Sequence, residues 1–439
     1  MSKKHRDKPP EITQPVTAIS FLKELAALLR ESGYLNARET IPIITKHELA
    51  GGKMGVVQEK QTIVALSARF CGLTGLPAAI NQLAQLRYLD LTGNQLAVLP
   101  ESLGELPELE TLRLDENLLA ALPESLGSLI SLRELHVNAN RLAALPETLG
   151  QLDNLTIFYA YNNQLTSVPA SIGQLSRLTE ISLGHNRLSA LPASFWKLAT
   201  LQSLNIAENL FSSLPASIGN LSELHTLDIG HNQLTELPET LGKLRKLTFF
   251  LYIHDNVLTS LPESLFIHLT NLRYLNLTDN QLTTLPESIG DLASLQELRL
   301  YNNRLETLPA AFGKLANLRE LHAMNNVLAA LPETLGELQK LSELRLSNNR
   351  LTSLPASLNQ LTRLAYLDLR NNRLMELPHA LDKLKNLLFL DLRNNRLLTL
   401  PASISKLKSL EKLDLRWNKL LFLPARIEKL KQRGCLIYT

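Results

Sequence analysis

Residues 341–361 read LSELRLSNNRLTSLPASLNQL, and this stretch decides the fold. Leucine occupies positions 1, 4, 6, 11, 14, 18 and 21 of the stretch, with asparagine at position 9 and proline at position 15. Positions 3 to 7 alternate polar and apolar residues, which is the period of a short β-strand with one buried face. The same spacing recurs along most of the chain, so the sequence is read first as a repeat.

The repeat is most easily counted on its prolines. Sixteen of the 21 prolines, from Pro77 to Pro424, lie 23 residues apart, except for two adjacent steps of 24 that end at Pro262 and Pro286. Proline removes a backbone donor and biases the preceding residue away from helical geometry, so the Leu-Pro step predicts an extended path. The prolines therefore define 16 units in register.

An inward-pointing side chain is predicted at the turn that follows each strand. Backbone N–H and C=O groups at a buried turn need hydrogen-bond partners, and a side-chain amide can both donate and accept. Stacked asparagines can therefore satisfy the turns of neighbouring units, and a cysteine can replace asparagine in the first unit, which has one neighbour. The predicted ladder lies six residues before each proline and consists of Cys71, Asn94, Asn117, Asn140, Asn163, Asn186, Asn209, Asn232, Asn256, Asn280, Asn303, Asn326, Asn349, Asn372, Asn395 and Asn418.

The consensus LxxLxLxxNxLxxLPxxLxxLxx resembles the leucine-rich repeat family, and the resemblance covers all 16 units. It implies an α/β solenoid dominated by β-structure, a right-handed horseshoe with a parallel sheet on its concave side. The arc after each proline is too short for a long helix, so irregular or 3₁₀ structure is expected on the convex side. A helical N-terminal cap is expected to cover the first unit.

The segments outside the units have distinct compositions. A helix is predicted over residues 16–32, and the glycine-rich residues 51–55 lack phosphate-loop spacing and favour a hairpin turn. Residues 436–438 are expected to add a final covering strand. The predicted organisation is a disordered tail at 1–14, an N-terminal capping segment at 15–62, the 16-unit solenoid at 63–430 and a C-terminal cap at 431–439.

The two 24-residue steps mark one irregular place in the array. One extra residue lies between Leu247 and Asn256, on the strand side, and the other lies between Pro262 and Leu269, on the return arc. A tolerated bulge is one interpretation. A local change of curvature that re-aims residues of the sheet is the other.

Composition excludes several classes of protein. The chain has 439 residues, of which 45% are hydrophobic and 20% charged, which is too apolar for a disordered protein. No apolar run approaches the ~18 residues of a membrane span, and no secretory signal peptide is recognised. Two cysteines make no disulfide framework. We therefore expect a cytoplasmic protein, with delivery by a non-Sec route as the alternative.

Catalytic and metal-binding patterns are weak in this sequence. No Ser-His-Asp, Cys-His or paired-carboxylate arrangement is recognised, so we expect neither an enzyme nor a cofactor. His231 and His254 lie on neighbouring units and are weak candidates to share a zinc ion with an acidic neighbour. Solvated polar residues are the alternative interpretation.

Positive charge is concentrated near the C-terminus. Residues 361–439 contain 16 Lys and Arg against 7 Asp and Glu, a net charge of +9 in a chain whose total is +3. Six of these lysines, which we call the lysine stripe, form either a solvated surface or a docking surface for an acidic protein or an anionic membrane. Nucleic acid is not expected, because aromatic residues do not interleave with the lysines. The stripe comprises Lys383, Lys385, Lys406, Lys408, Lys429 and Lys431.

The outward face of the predicted sheet is the strongest candidate functional surface. Leucine fills the core positions, so outward aromatic residues are not needed for packing, and Tyr, Trp and Met are enriched at protein interfaces. Scattered exposed aromatics can also be harmless. The candidate partner-binding residues are Tyr159 and Tyr161 with His136 and His185 beside them, Tyr301 with His322 and Met324, and Trp417.

The 23-residue LPxxLGxLxxL type is similar to Scribble-type and Ras-group intracellular scaffolds and to bacterial leucine-rich repeat proteins. The resemblance implies a non-catalytic signalling scaffold that binds a protein through its concave face. A bacterial effector with the same binding chemistry is one alternative, and a metal-dependent or catalytic protein is another. The sequence determines neither the partner nor the oligomeric state.

Overall fold

The computed structural model describes residues 18–439, and the predicted disordered tail at 1–14 lies outside the described residues. The chain forms two compact units, Met1–Leu198 and Ala199–Thr439. Among the helices of the described part, none has both the length and the apolar character that a membrane crossing needs.

The capping segment begins with helix α1 (Ala18–Glu31), which falls within the predicted 16–32. Phe21, Leu25 and Leu29 recur at helical spacing and are fully buried. The helix contacts the 3₁₀ turn Ala78–Gln82 of the first repeat. It therefore covers apolar surface that a terminal repeat would otherwise expose to water.

The glycine-rich residues 51–55 do not form the hairpin turn that was predicted. They connect a one-turn helix, α2 (Lys46–Ala50), to strand β1 (Gly55–Glu59), and Gly52 takes a left-handed φ of +82° between them. A capping box starts α2, and the glycines end it. The hairpin lies further along the chain, where β1 pairs antiparallel with β2 (Thr62–Ser67).

The rest of the first unit contains one short parallel strand per repeat. The central residue of each strand is buried, and the strands pair in register, as in Leu89 with Leu112 and Leu112 with Leu135. This register keeps every leucine on the core side. The strands after β2 are β3 (Tyr88–Asp90), β4 (Thr111–Arg113), β5 (Glu134–His136), β6 (Ile157–Tyr159) and β7 (Glu180–Ser182).

The second unit continues the same architecture and ends with helix α3 (Glu428–Lys431) and a parallel closing strand, β18 (Leu436–Tyr438). Consecutive strands pair in parallel throughout residues 203–438. The other strands are β8 (Ser203–Asn205), β9 (Thr226–Asp228), β10 (Phe250–Tyr252), β11 (Tyr274–Asn276), β12 (Glu297–Arg299), β13 (Glu320–His322), β14 (Glu343–Arg345), β15 (Tyr366–Asp368), β16 (Phe389–Asp391) and β17 (Lys412–Asp414).

Most return arcs contain a 3₁₀ turn after the proline, which confirms the expected leucine-rich repeat solenoid. A representative bond runs from the Leu103 N–H to the Pro100 carbonyl at 3.0 Å. The remaining 3₁₀ turns are Glu101–Glu105, Glu124–Ser128, Glu147–Gln151, Ala170–Gln174, Phe195–Lys197, Ala216–Asn220, Glu239–Lys243, Glu287–Asp291, Ala310–Lys314, Glu333–Glu337, Ala356–Gln360, Leu381–Lys383, Ala402–Lys406 and Ala425–Ile427.

The asparagine ladder forms the hydrogen bonds that the sequence predicts. Asn303 is typical: its Nδ2 donates to the carbonyls of Leu277 at 2.9 Å and Leu300 at 3.1 Å, and its Oδ1 accepts from the Leu282 N–H at 3.0 Å. At the first repeat, Asn94 Oδ1 accepts from the Cys71 N–H at 3.1 Å. Each side chain therefore joins its own turn to the preceding repeat.

A second asparagine ladder, which was not predicted, lies on the surface of the second unit. It occupies position 8, where the backbone has left-handed φ values of 51 to 58°, a conformation that Asn and Asp tolerate best among non-glycine residues. Each Asn Nδ2 donates to the side-chain oxygen one repeat earlier, at 2.5 to 3.0 Å. Its members are Asp279, Asn302, Asn325, Asn348, Asn371 and Asn394.

The first long repeat places its extra residue in the loop before β10. The three residues of β10 pair in register with both neighbouring strands, so the paired segment contains no bulge. Three residues separate Leu247 from Leu251, where a regular repeat has two. Phe249 in this loop is 49% exposed, and Phe250, at the outward position of the strand, is 41% exposed.

The second long repeat uses its extra residue in the core. Phe266 is fully buried, and it occupies the place where most repeats have glycine. A Cβ at the corresponding Gly242 would lie 2.8 Å from the Leu265 carbonyl oxygen, so that arc has no room for a side chain there, whereas a repeat of regular length buries Trp196 at the same position. The arc between Leu265 and Leu269 is one residue longer and carries the Phe266 ring.

Candidate partner-binding face

The outward sheet face is built from the strand residues on either side of each buried leucine. These residues are half-buried in most repeats, because neighbouring strands place their side chains about 5 Å apart. Side chains at equivalent positions of successive repeats therefore form continuous rows. Aromatic and histidine rings contact one another at several places on this face.

The first group contains the predicted residues Tyr159, Tyr161, His136 and His185. The His136 and Tyr159 rings meet edge to face with centroids 5.0 Å apart, and the Tyr161 and His185 rings lie 5.7 Å apart. The structure thus brings the predicted residues together as two ring pairs on adjacent repeats. Their role in binding remains a prediction.

The Tyr159 hydroxyl of this first group already has a partner within the sheet. The Tyr159 hydroxyl donates to Glu180 Oε2 at 2.5 Å, and burial, followed by this carboxylate, raises the pKa of Tyr159. Burial lowers the pKa of His136, although the carboxylate of Asp115 opposes this shift. Because the tyrosine proton is engaged, the group offers a partner mainly its ring faces.

The second predicted group is less accessible than its sequence positions suggest. His322 is buried, and its Nε2 lies 3.2 Å from Glu320 Oε2 and 3.9 Å from Glu343 Oε1. Met324 lies on the same repeat as His322 and Tyr301 on the preceding repeat, and both are half-buried. The available surface of this group therefore comes from Tyr301 and Met324, with His322 beneath.

Side chains around His322 also have the composition of a metal site. Glu297, Glu320 and His322 can each place one ligand atom within 4.8 Å of the others. Arg299 Nε already binds Glu297 Oε1 at 2.6 Å, and Arg345 pairs with Glu343 on the other side. The local negative charge is thus balanced by guanidinium groups, which a metal ion would have to displace.

The weak zinc candidates His231 and His254 are adjacent in the structure. Their rings meet edge to face at a centroid distance of 4.6 Å, and His231 Nδ1 pairs with the carboxylate of Asp255. Burial lowers the pKa of His254, with the Asp228 carboxylate opposing the shift, so its imidazole is neutral at pH 7. Zinc binding here stays a prediction.

The largest ring cluster was not predicted as a binding site. We call it the aromatic patch, and it consists of Phe250, Tyr252, Tyr274, His254 and His231. Phe250 lies 5.5 Å from Tyr252 and 5.7 Å from Tyr274, and Tyr252 lies 5.3 Å from Tyr274 and 5.9 Å from His254. These contacts join the rings of three successive repeats into one surface.

Two local features of the chain produce the aromatic patch. Phe250 takes the outward strand position that Thr226 and Tyr274 take in the neighbouring repeats, and Gly230 leaves space for the His254 ring, because a Cβ on Gly230 would lie 2.4 Å from His254 Cε1. The sequence signal was the Phe249-Phe250 pair inside the first long repeat. The sequence alone favours a tolerated bulge or a re-aiming of sheet residues at this place, and neither interpretation identifies a ring cluster.

The remaining candidates lie near the C-terminus. Trp417 is 69% exposed, and the Arg416 guanidinium lies 5.4 Å from a ring centroid of this side chain. Part of the lysine stripe lines a cavity of about 510 Å³. The lining residues are Asp382, Lys385, Lys406, Lys408, Ser409 and Arg433.

Comparison with known families agrees with the repeat geometry. The model described as a leucine-rich repeat region matches residues 77–157, 192–269 and 263–364. Two further leucine-rich repeat models match residues 130–188 and 153–211, and residues 363–384 and 386–407. A search of curated proteins gives no match.

Several solved structures resemble the chain. A leucine-rich repeat protein of Leptospira interrogans is 37% identical with a TM-score of 0.76, over 85% of this chain and 95% of that protein. The plant peptide hormone receptor RGFR1, in complex with RGF2, is 28% identical with a TM-score of 0.68, over 85% of this chain. The ectodomain of the Arabidopsis thaliana receptor kinase GASSHO1/SCHENGEN3, in complex with CASPARIAN STRIP INTEGRITY FACTOR 2, is 27% identical with a TM-score of 0.56, over 93% of this chain. The chain spans 66% and 61% of the lengths of these two receptors.

Proposed function

Because the chain belongs to the leucine-rich repeat family, we propose that it is a non-catalytic scaffold that binds a segment of a partner protein on its outward sheet face. Members of this fold generally act as protein-binding modules. Two of the similar structures are plant receptors in complexes, a peptide hormone receptor with RGF2 and a receptor kinase ectodomain with CASPARIAN STRIP INTEGRITY FACTOR 2. That likeness supports a protein partner and does not identify it.

The aromatic patch is the observation that carries this proposal. An exposed aromatic ring is worth about 1.5–3 kcal/mol when a partner buries it fully, and contacts between rings add to this value. Rows of leucine already fill the core, so the fold does not require Phe250, Tyr252 and Tyr274 on the surface. A cluster of large rings at the centre of a surface is the usual composition of a binding hot spot.

Charge near the aromatic patch favours a partner segment that carries Arg or Lys. Asp228 is the last residue of β9, and Asp255 and Asp279 come shortly after β10 and β11, so the three carboxylates lie next to the rings. A cation over a tyrosine face within reach of a carboxylate gains from both contacts. We therefore propose a partner segment that combines apolar side chains with a basic residue.

Panning a displayed random-peptide library on the intact chain tests this proposal. The dissociation constant of each enriched peptide is then measured for the wild type and for Phe250→Ala/Tyr252→Ala. We expect affinity to fall by on the order of a hundredfold, since two anchoring rings are lost. A matched control is Tyr366→Ala/Phe389→Ala, which removes another ring pair, 5.9 Å apart, from the same face.

The other predicted residues provide further comparisons in the same assay. Tyr159→Ala/Tyr161→Ala tests the first group, Tyr301→Ala/Met324→Ala tests the second, and Trp417→Ala tests the C-terminal candidate. If one of these variants lost peptide binding while Phe250→Ala/Tyr252→Ala kept it, the residues replaced in that variant would be the anchor for the partner. If binding were unchanged in every variant, the outward sheet face would be the wrong surface.

The cellular location of this scaffold is also a proposal. We place it in the cytoplasm, with delivery as an effector as the alternative, and a fusion of residues 1–60 to a secretion reporter distinguishes these two. The lysine stripe is proposed as a docking surface for an acidic protein or an anionic membrane. The charge reversal Lys406→Glu/Lys408→Glu tests that role independently of the aromatic patch.

A further inference from the structure

An exposed apolar row lies on the last three repeats, away from the outward sheet face. It consists of Met375, Leu398, Leu421 and Phe422, which are 56, 45, 74 and 62% exposed, and we call it the apolar edge. The Leu421 N–H donates to the Leu398 carbonyl at 3.0 Å, so these two residues sit on adjacent rungs. Met375 has the equivalent position one repeat earlier.

The fold does not require apolar side chains at these positions. Met375, Leu398 and Leu421 occupy position 12, and in the thirteen preceding repeats this position is Ala, Ser, Thr or Glu. Those thirteen repeats form the same turn with small or polar side chains. The apolar edge is therefore a local addition to the surface, confined to the part of the chain that carries the excess of positive charge.

A row of cations accompanies the apolar edge. Arg373, Arg396 and Lys419 occupy position 10 of the same three repeats and are exposed. Within residues 18–439, none of these three side chains has a carboxylate within the 4.0 Å of an ion pair. Glu376 follows Met375, so positions 10 to 13 of the three repeats keep a net charge of +2.

The neighbouring arginines on the sheet are different, because they are neutralised. Arg393 binds Asp391 at 2.5 Å, and Arg416 binds Asp414 at 2.7 Å. The unneutralised charge is thus on the side of the repeat that carries the apolar edge. On the last repeat, Trp417 lies in the sequence between Arg416 of the sheet and the apolar edge, and it adds an exposed indole.

We propose that the apolar edge docks this chain on an anionic lipid bilayer. Met375, Leu398, Leu421 and Phe422 enter the boundary between headgroups and acyl chains, while the cations of position 10 meet the lipid phosphates and carboxylates. Trp417 lies at the headgroup level, where indole rings are most stable.

Charge and shape favour a bilayer over the other occupants. A second copy would bring its own cationic row against this one, and like charges across an interface are unfavourable. Protruding apolar side chains on a turn need a partner with a matching groove, whereas a bilayer accepts them without one. This role goes beyond the proposed scaffold function and does not rest on it.

Flotation of the intact chain with vesicles tests the proposal. Vesicles of equimolar phosphatidylcholine and phosphatidylserine should bind the wild type, and vesicles of pure phosphatidylcholine should bind it far less. Leu421→Ser/Phe422→Ser should lower binding at least about tenfold. Arg373→Gln/Arg396→Gln/Lys419→Gln should lower it about a hundredfold, since each cation near the surface contributes about fivefold. All these side chains are exposed, so the variants should remain folded, which circular dichroism checks.

Tryptophan fluorescence reports insertion directly. The chain has two tryptophans, and Trp196 is 2% exposed, so a vesicle-induced blue shift comes from Trp417. Val98→Ser is the matched control, because it removes an equally exposed apolar side chain, 74% exposed, from the first unit. It should bind vesicles like the wild type.

Three results would overturn the proposal. The first is absence of binding to the phosphatidylserine vesicles. The second is binding that survives both edge variants but is lost in Lys406→Glu/Lys408→Glu, which would place the contact at the lysine stripe. The third is a vesicle-independent dimer that Leu421→Ser/Phe422→Ser dissociates in sedimentation velocity, which would make the apolar edge an interface between copies.

Discussion

Replacing Asn303 by alanine should destabilise the second unit strongly, although the change removes only a small side chain. Asn303 is buried, and its Oδ1 is the acceptor for the Leu282 N–H at 3.0 Å. Its Nδ2 donates to the carbonyls of Leu277 and Leu300 at 2.9 and 3.1 Å. The variant loses these three hydrogen bonds and a longer one, of 3.4 Å, from Nδ2 to the Tyr301 carbonyl.

The three bonds do not contribute equally to the expected loss. The Leu277 carbonyl keeps a bond from Asn280 Nδ2 at 3.2 Å, and the Leu300 carbonyl keeps one from Asn326 Nδ2 at 3.0 Å. The Leu282 N–H keeps no such substitute and becomes an unpaired buried donor. An unpaired buried donor costs about 1–3 kcal/mol and each lost second bond about 0.5–1 kcal/mol, so the free energy of unfolding should fall by about 2–5 kcal/mol.

Asn302→Gly is the matched control, because Asn302 is the adjacent residue in the exposed ladder. It donates to Asp279 Oδ1 at 2.6 Å and accepts from Asn325 Nδ2 at 2.5 Å, but water can replace both bonds. Its φ is +56°, and glycine adopts this conformation without strain. The control should therefore lose about 1 kcal/mol or less.

Urea denaturation followed by circular dichroism measures both losses, with an unchanged slope as the condition for comparing them. Long repeat arrays can unfold in parts, so hydrogen exchange of the Leu282 amide provides a local measure. Exchange at this amide should accelerate in Asn303→Ala and stay close to wild type in Asn302→Gly. Equal losses in the two variants would refute the claim that burial gives the inner ladder its stabilising role.

Three shorter predictions follow from single sites. Gly127→Ala should cost about 1–3 kcal/mol of stability in urea denaturation, because its Cβ would lie 2.4 Å from the Thr148 carbonyl oxygen, whereas Gly75→Ala has no atom within 4 Å and should be neutral. Burial lowers the pKa of His254 from 6.5, so the unfolded chain binds the imidazole proton more tightly than the folded chain does. The contribution of His254 to stability is therefore present above pH 6.5 and is lost as pH falls below that value. His254→Gln should flatten this part of a stability–pH profile. Burial raises the pKa of Cys71 to about 12, so its thiol should resist iodoacetamide at pH 8 until denaturant is added, and rapid native labelling would contradict this.

The fold could be predicted from the sequence because its determinants recur. A leucine in the middle of most strands, an asparagine at nearly every turn and a proline after it each make the same local contact from repeat to repeat. Sixteen repetitions make the pattern unambiguous. Helix α2 was missed because it is a single turn set by one capping box, which has no periodic counterpart.

The candidate site was only partly predictable, because burial on the outward face depends on neighbouring side chains. Position 5 points outward, so His322 was expected to be exposed. In the sheet it lies in register between Arg299 and Arg345, and it is buried beside Glu320. The lengths of adjacent side chains decide its exposure, and the repeat consensus does not specify those.

The two long repeats show why this fold can change its surface without losing its register. Leu227, Leu251 and Leu275 remain aligned across both steps of 24, because shifting a strand by one residue would turn its leucine toward solvent. The loops must then absorb each added residue. The longer loop before β10 carries the exposed Phe249, and the longer arc carries the buried Phe266. The array therefore accepts an insertion of the same size on either side of a strand, beside an exposed ring in one case and a buried ring in the other, and the strand register protects the remaining repeats from both.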